Sequence, residues 1–266
     1  MEKINRWVAK HAILVYAVGI VLSMVLGSVV SAWRTGLACY LVVFVGIFLS
    51  AQWAFSRGDV LLREPIAHME RECDPFPYLE EAERQLQDPG PAHLKLNRRQ
   101  TYATALLHAG KTEKALETMR SIPIKTTRGV GPAAKVTYYN NLMTAYWRLE
   151  MPEELENAYQ NMLEHFASVK NKKERNFLQN IVDYKQAIML QYHGAYAQAR
   201  KAYTPNPQNR FAQVHDAWLM ALIARGEGDI AQARKNLEFV IQNGNRLFVV
   251  EAAQALLTEI NMEEQI

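Results

Sequence analysis

Two apolar runs, Ala12 to Trp33 and Gly36 to Phe55, stand back to back with only Arg34 and Thr35 between them. Apart from Tyr and Cys, neither run holds an ionisable side chain. At about 1.5 Å per residue, a helix of either length reaches the roughly 30 Å of a bilayer core. The pattern predicts a short basic N-terminus over 1–11 and a two-span helical hairpin over 12–56. Trp7, Trp33, Trp53 and Phe55 stand near the ends of the runs, where aromatic side chains anchor a span at the membrane interface.

A cleavable signal is the competing reading. Lys3, Arg6 and Lys10 form a basic start, and Val30-Ser31-Ala32 resembles a small-residue cleavage site. The apolar stretch ahead of that site is nearer 20 residues than the roughly 7 to 15 of a signal. Topology depends little on the outcome. Lys3, Arg6 and Lys10 precede the first span, Arg34 is alone in the turn, and Arg57, Arg63 and Arg71 follow the second. Basic residues on both flanks favour two cytoplasmic ends, in an integral protein of the plasma membrane whose remaining residues face the cytoplasm.

Small residues recur at every fourth position of the first run, at Gly19, Ser23, Gly27 and Ser31, and of the second, at Gly46, Ser50 and Ala54. That interval puts each set on one helix face, where backbones can approach closely. The two stripes are expected to pack on each other; the alternative is homo-oligomerisation through one of them. No Asp, Glu, Lys, Arg or His lies within either run, which argues against an ion or proton pathway.

The net charge of +3 is concentrated at the front: residues 1–57 carry five Lys or Arg and one Glu, leaving 25 basic against 26 acidic residues beyond. Such a balance makes nucleic acid a poor partner, because binding phosphates usually shows as a strongly basic face. Cys39 lies in a span and Cys73 beyond it, so neither a disulfide framework nor a four-ligand zinc site can be drawn, and a reducing compartment suits them.

Past Phe55 the pattern is helix after helix, with no run of alternating β-branched residues bounded by turns. Breakers divide the helices at Asp74-Pro75-Phe76-Pro77, Asp88-Pro89-Gly90-Pro91, Gly129-Val130-Gly131-Pro132, Pro205-Asn206-Pro207 and Asn243-Gly244-Asn245. Residues 57–92 are expected to form connecting helices, the first interrupted by Pro65. Residues 93–262 show paired helices with a common grammar. Tyr102, Ala103 and Leu106 precede Gly110, followed by Ala115, Met119 and Ile122. Tyr139, Leu142, Met143 and Tyr146 precede Glu150, followed by Leu155, Tyr159 and Met162. Ala187 and Leu190 precede Gly194, followed by Ala199 and Tyr203, and Trp218, Ala221 and Leu222 precede Gly228, followed by Ala233, Leu237 and Val240. Gly admits the tight turn, Asp or Pro starts the next helix, and small Ala side chains allow close crossing.

This grammar, from about Leu94 to Val240, resembles the tetratricopeptide repeat family, whose period is about 34 residues. The intervals from Gly110 to Glu150, Gly194 and Gly228 are 40, 44 and 34, so insertions fall between pairs, and another helix-pair solenoid is the alternative. The aromatic near the start of the first helix is kept only as Tyr139, and a helix over Leu247 to Asn261 would cap the array. The fold expected is all-α: a two-span transmembrane hairpin followed by a TPR-like solenoid.

The resemblance implies a concave groove, lined by the first helix of each pair, that holds a protein or peptide. Carried over by position, it comprises Gln100, Thr104 and His108; Asn140, Asn141, Thr144, Trp147 and Arg148; Tyr184, Lys185 and Tyr192; and Trp218 and Arg225. The Lys and Asn set with which some family members clamp a terminal carboxylate is not reproduced. Catalytic signals are weak. The seven histidines lack metal-ligand spacing, Gly129-Val130-Gly131 follows no strand, and no nucleophile motif is present. The expectation is therefore a membrane-anchored adaptor or scaffold with no catalytic residue, metal or cofactor, and with a protein or peptide and the bilayer as partners. A regulatory or assembly subunit of an envelope or secretion complex, using the hairpin as its interaction surface, is the alternative.

Overall fold

A computed structural model of the chain describes residues 2–31, 36–124, 126–127 and 130–263. Trp33, the Arg34-Thr35 turn, Ala32 of the cleavage-like motif and Gly129 lie outside the described residues, as does the side chain of Ser31. Every regular element among the described residues is helical.

Helix α1 (Glu2–Lys10) leads through His11 into α2 (Ala12–Ser31), and α3 (Gly36–Phe55) leads through Ser56 into α4 (Arg57–Glu72). The backbone ladder continues across both joints, with His11 N–H donating to Trp7, Val15 to His11, Ser56 to Gln52 and Val60 to Ser56. Both α2 and α3 are long and apolar enough to cross a membrane. They lie antiparallel, and small residues set their approach. A Cβ placed on Gly19 would collide with Ser50, and one on Gly46 with Ser23, so the two small-residue stripes face each other. Ser23 and Ser50 return their hydroxyl protons to the Gly19 and Gly46 carbonyls at 2.7 Å, which satisfies both hydroxyl donors within their own helices. Outward lies a largely apolar surface, including Leu22, Leu26, Phe44 and Phe48.

Below the apolar zone, α1 and α4 extend the pair. Val8 and Ala9 of α1 are buried, and Arg6 donates to Glu81 at 3.0 Å on α5 (Phe76–Gln85). Glu81 is itself buried and also accepts from Arg84 and Gln85. Trp7 stacks on His11, and Arg57 lies over the Trp53 ring, so aromatic and basic groups gather where the apolar surface ends. Contrary to the expected interruption, α4 runs straight through Pro65. One missing ladder bond is tolerated there because Leu62 and Met69 anchor the helix in the core on either side.

Four helix pairs follow: α6 (Ala92–His108) with α7 (Thr112–Arg120), α8 (Pro132–Arg148) with α9 (Pro152–Ala167), α10 (Lys172–Tyr192) with α11 (Tyr196–Ala202), and α12 (Arg210–Gly226) with α13 (Ile230–Asn243). A final α14 (Phe248–Glu263) covers the last pair. Each pair turns in the same way. Gly110, Glu150, Gly194 and Gly228 adopt φ of 76°, 53°, 75° and 80°. The residue after each one donates back to a carbonyl five positions earlier, as in Lys111 to Leu106, Met151 to Tyr146, Ala195 to Leu190 and Asp229 to Ala224. Buried Ala105, Ala115, Ala145, Ala158, Ala187, Ala199, Ala221 and Ala233 bring the helices of each pair close.

Helices α6, α8, α10 and α12 stack in succession to make one wall. The array then closes on itself. The end of α4 meets α12, and the α13–α14 turn is tied to it by Arg246 N–H to the Cys73 carbonyl, Asn245 to the Glu72 carbonyl and Arg246 to Asp74. Phe248, at the start of α14, packs against Gly110 and under the Arg148 guanidinium, 4.1 Å from its ring centre.

Candidate functional site

The inner wall lines a cavity of about 350 Å³, within the range of small-ligand sites. The expected groove residues converge here from α6, α8, α10 and α12. Thr104, His108, Asn140, Asn141, Thr144, Trp147, Arg148, Tyr184, Lys185 and Trp218 all line it. The i, i+4 spacing of Asn140, Thr144 and Arg148 on α8 is what aims all three inward.

Three expected residues are placed elsewhere. Gln100 is buried beneath the wall and spends its amide on the Ala134 carbonyl at 3.0 Å. Tyr192 is exposed at the end of α10, edge-on to His193. Arg225 bridges α12 to Glu259 and Glu263 of α14 at 3.0 Å each, as a brace for the terminal helix. All three lie on the first helix of a pair, but position along the helix carries them away from the cavity.

The polar lining forms a chain of hydrogen bonds. Asn140 donates to the Asn141 side chain, and Asn141 donates to Thr104 Oγ1 at 2.7 Å. Thr144 donates to the Asn140 carbonyl and accepts from Lys185 Nζ at 2.6 Å. Arg148 Nη1 donates to the Leu107 carbonyl at the C-terminal end of α6, while its Nε has no protein partner. Tyr184 and Tyr203 meet edge to face, and Tyr203 donates to Asp216 Oδ1 at 2.7 Å.

The electrostatics are unusual. Lys185 is buried and Arg148 half-buried, and neither pairs with a carboxylate among the described residues. Burial, reinforced by Arg148, lowers the Lys185 ammonium to about 7, and burial lowers the Arg148 guanidinium to about 10. Burial, with the nearby cations, holds His108 neutral down to about 3 and His215 neutral well below the usual imidazole range. Burial also raises Asp216, against the pull of its bond from Tyr203.

Phe211, His215, Asp216, Tyr203 and Val249 complete the site and were not anticipated from sequence. The first three lie on α12 ahead of Trp218, and His215 stands one helical turn before it, so the spacing that pointed to Trp218 also points to His215. His108, Phe211 and His215 form one ring cluster, with centres 4.4 to 6.0 Å apart. Among the described residues, no three His, Cys, Asp or Glu side chains gather as a metal-holding set. A second cleft of about 440 Å³, between α7, α8 and α9, is walled by Tyr138, Tyr139 and Tyr146, and its described lining has no cationic group. No protein-family model, no curated protein and no solved structure matches the chain, so the functional reading rests on this geometry.

Proposed function

We propose that the chain is a membrane-anchored adaptor. Its α2–α3 hairpin spans the bilayer, its helix-pair domain is a TPR-like solenoid on the cytoplasmic face, and the inner wall of that domain recognises a protein or peptide partner. The observation that carries this reading is the convergence of ten polar, aromatic and cationic side chains from four separate helices on one cavity. A wall serving only as core would be apolar, since burying Lys185 and Asn141 costs stability. Tethering supplies a high local concentration, so modest contacts at the wall suffice.

The test is a crosslinking pull-down from native membranes with the full-length chain. Trp147→Ala combined with Asn141→Ala is expected to abolish partner capture while membrane insertion persists. Undiminished capture by this variant overturns the role of the wall. A second reading assigns association to the hairpin, and what favours it is the exposed ridge of Tyr40, Phe44 and Phe48 at four-residue spacing along α3. On that reading, Phe44→Ala with Phe48→Ala abolishes capture and the wall variant does not.

A further inference from the structure

Two cations share the inner cavity, and among the described residues neither forms an ion pair with a carboxylate. Among the described residues, Lys185 Nζ has one hydrogen bond, to the Thr144 hydroxyl, and the Arg148 guanidinium has one, to the Leu107 carbonyl, with its face on the Phe248 ring. An ammonium offers three donors and a guanidinium five, so these bonds use only part of their donor capacity. His108 Nδ1 and His215 Nε2 are also buried without a protein partner. The carboxylate among the described lining residues, Asp216, accepts from Tyr203 at Oδ1 while its buried Oδ2 has no protein partner, and it disfavours an anionic group on its own side of the cavity. The remaining lining is largely apolar, with Trp147, Ile181, Ile188 and Phe211 around it.

We propose that this cavity takes a small organic anion, one carboxylate or phosphate on an aromatic or aliphatic body, with Arg148 and Lys185 holding the anionic group. The inference rests on the reading of the inner wall as a recognition site and adds the chemistry of what enters it. Charge-assisted bonds from a fork-shaped guanidinium and an ammonium satisfy a carboxylate or phosphate oxygen better than any neutral group can. The apolar residues enclose the body of the ligand.

The experiment uses the full chain in detergent micelles, with 4-phenylbutyrate and phenyl phosphate as probes. Their neutral counterpart is 4-phenylbutanamide. Calorimetry gives the affinity, and the fluorescence of Trp147 and Trp218 reports occupancy. At least one anion is expected to bind about tenfold or more tightly than the amide. That preference should vanish in Lys185→Met and in Arg148→Gln. Ile181→Trp, which fills the cavity and leaves both cations in place, should block the probes in a protein that still unfolds cooperatively. Equal affinity for acid and amide, retention of the preference in both cation variants, or no saturable binding of either anion overturns the proposal. So does binding confined to a short acidic peptide, which moves the anion to a partner chain. The pull-down separates the two readings: partner capture without probe binding removes only the small anion, and probe binding with capture indifferent to the wall variant removes only the adaptor.

Discussion

Replacing Lys185 by Met should make the ligand-free protein more stable, which is the reverse of what deleting a well-used polar residue does. The side chain is fully enclosed, and burial brings its ammonium from 10.5 to about 7. Holding the charged form inside the folded chain at or below pH 7 therefore costs roughly 5 kcal/mol relative to a neutral side chain. Met fills a similar length with methylenes and sulfur, and the Thr144 hydroxyl keeps its own acceptor on Asn140. The lost Lys185 to Thr144 hydrogen bond returns about 1 kcal/mol of that gain. A net stabilisation of about 1 to 4 kcal/mol is expected, or roughly 3 to 10 °C in Tm for a domain of this size. The sign of the pH dependence follows from the lowered value. Between pH 7 and 10.5 the unfolded chain keeps a proton that the folded chain has released, so the natural protein gains stability as pH rises. The advantage of Met is therefore greatest at pH 7 and below and shrinks towards pH 10.5. Thermal unfolding of the full chain in detergent, followed by near-ultraviolet circular dichroism from pH 6 to 10, measures both. A destabilised Met variant at pH 7, or a difference that ignores pH, would refute the description of Lys185 as an uncompensated buried cation.

The two imidazoles respond to acid. His108 and His215 stay neutral in the folded chain while the unfolded chain binds protons below about 6.5, so stability should fall from pH 6.5 towards 3 by up to about 1.4 kcal/mol per pH unit for each ring, and His108→Gln should flatten the urea midpoint over that window. In the hairpin, Gly19→Ala drives a methyl into Ser50 and should part α2 from α3, lowering the yield of a disulfide engineered across them; adding Ser50→Gly should restore it. Cys73 is buried and burial raises its thiol to about 11, so in a Cys39→Ala background maleimide should label the native chain slowly and the urea-unfolded chain at once.

Local patterning made much of this architecture readable before any coordinates. The turns at Gly110, Glu150, Gly194 and Gly228 are marked by residue type or by what flanks them, and each proves to carry the same left-handed cap. The facing of Gly19 on Ser50 and Gly46 on Ser23 follows from small residues at helical spacing in antiparallel helices. Pro65 misled, because a local rule about proline yields where tertiary burial holds both flanks of a helix. Inward-facing positions on successive first helices, readable in the sequence, bring Thr104, Asn141, Thr144 and Lys185 to one cavity. What sequence did not disclose was the meeting of the first and last turns. The Arg246 to Cys73 bond spans most of the chain, and contacts so distant leave no periodicity to read. Without that contact Val249, on α14, would have no reason to be counted with the wall.

The unbroken backbone ladder from Gln52 through Ser56 to Val60 has a mechanical consequence. A flexible linker would let the domain sample all headings beneath its anchor, whereas here tilt or rotation of the anchor is inherited by everything attached to it. The strap from Arg6 to Glu81 removes the remaining swivel by fastening the opposite leg to the same body. On the proposed reading of α2 and α3 as membrane spans, a lateral push on them would travel as a lever stroke and reorient the cavity.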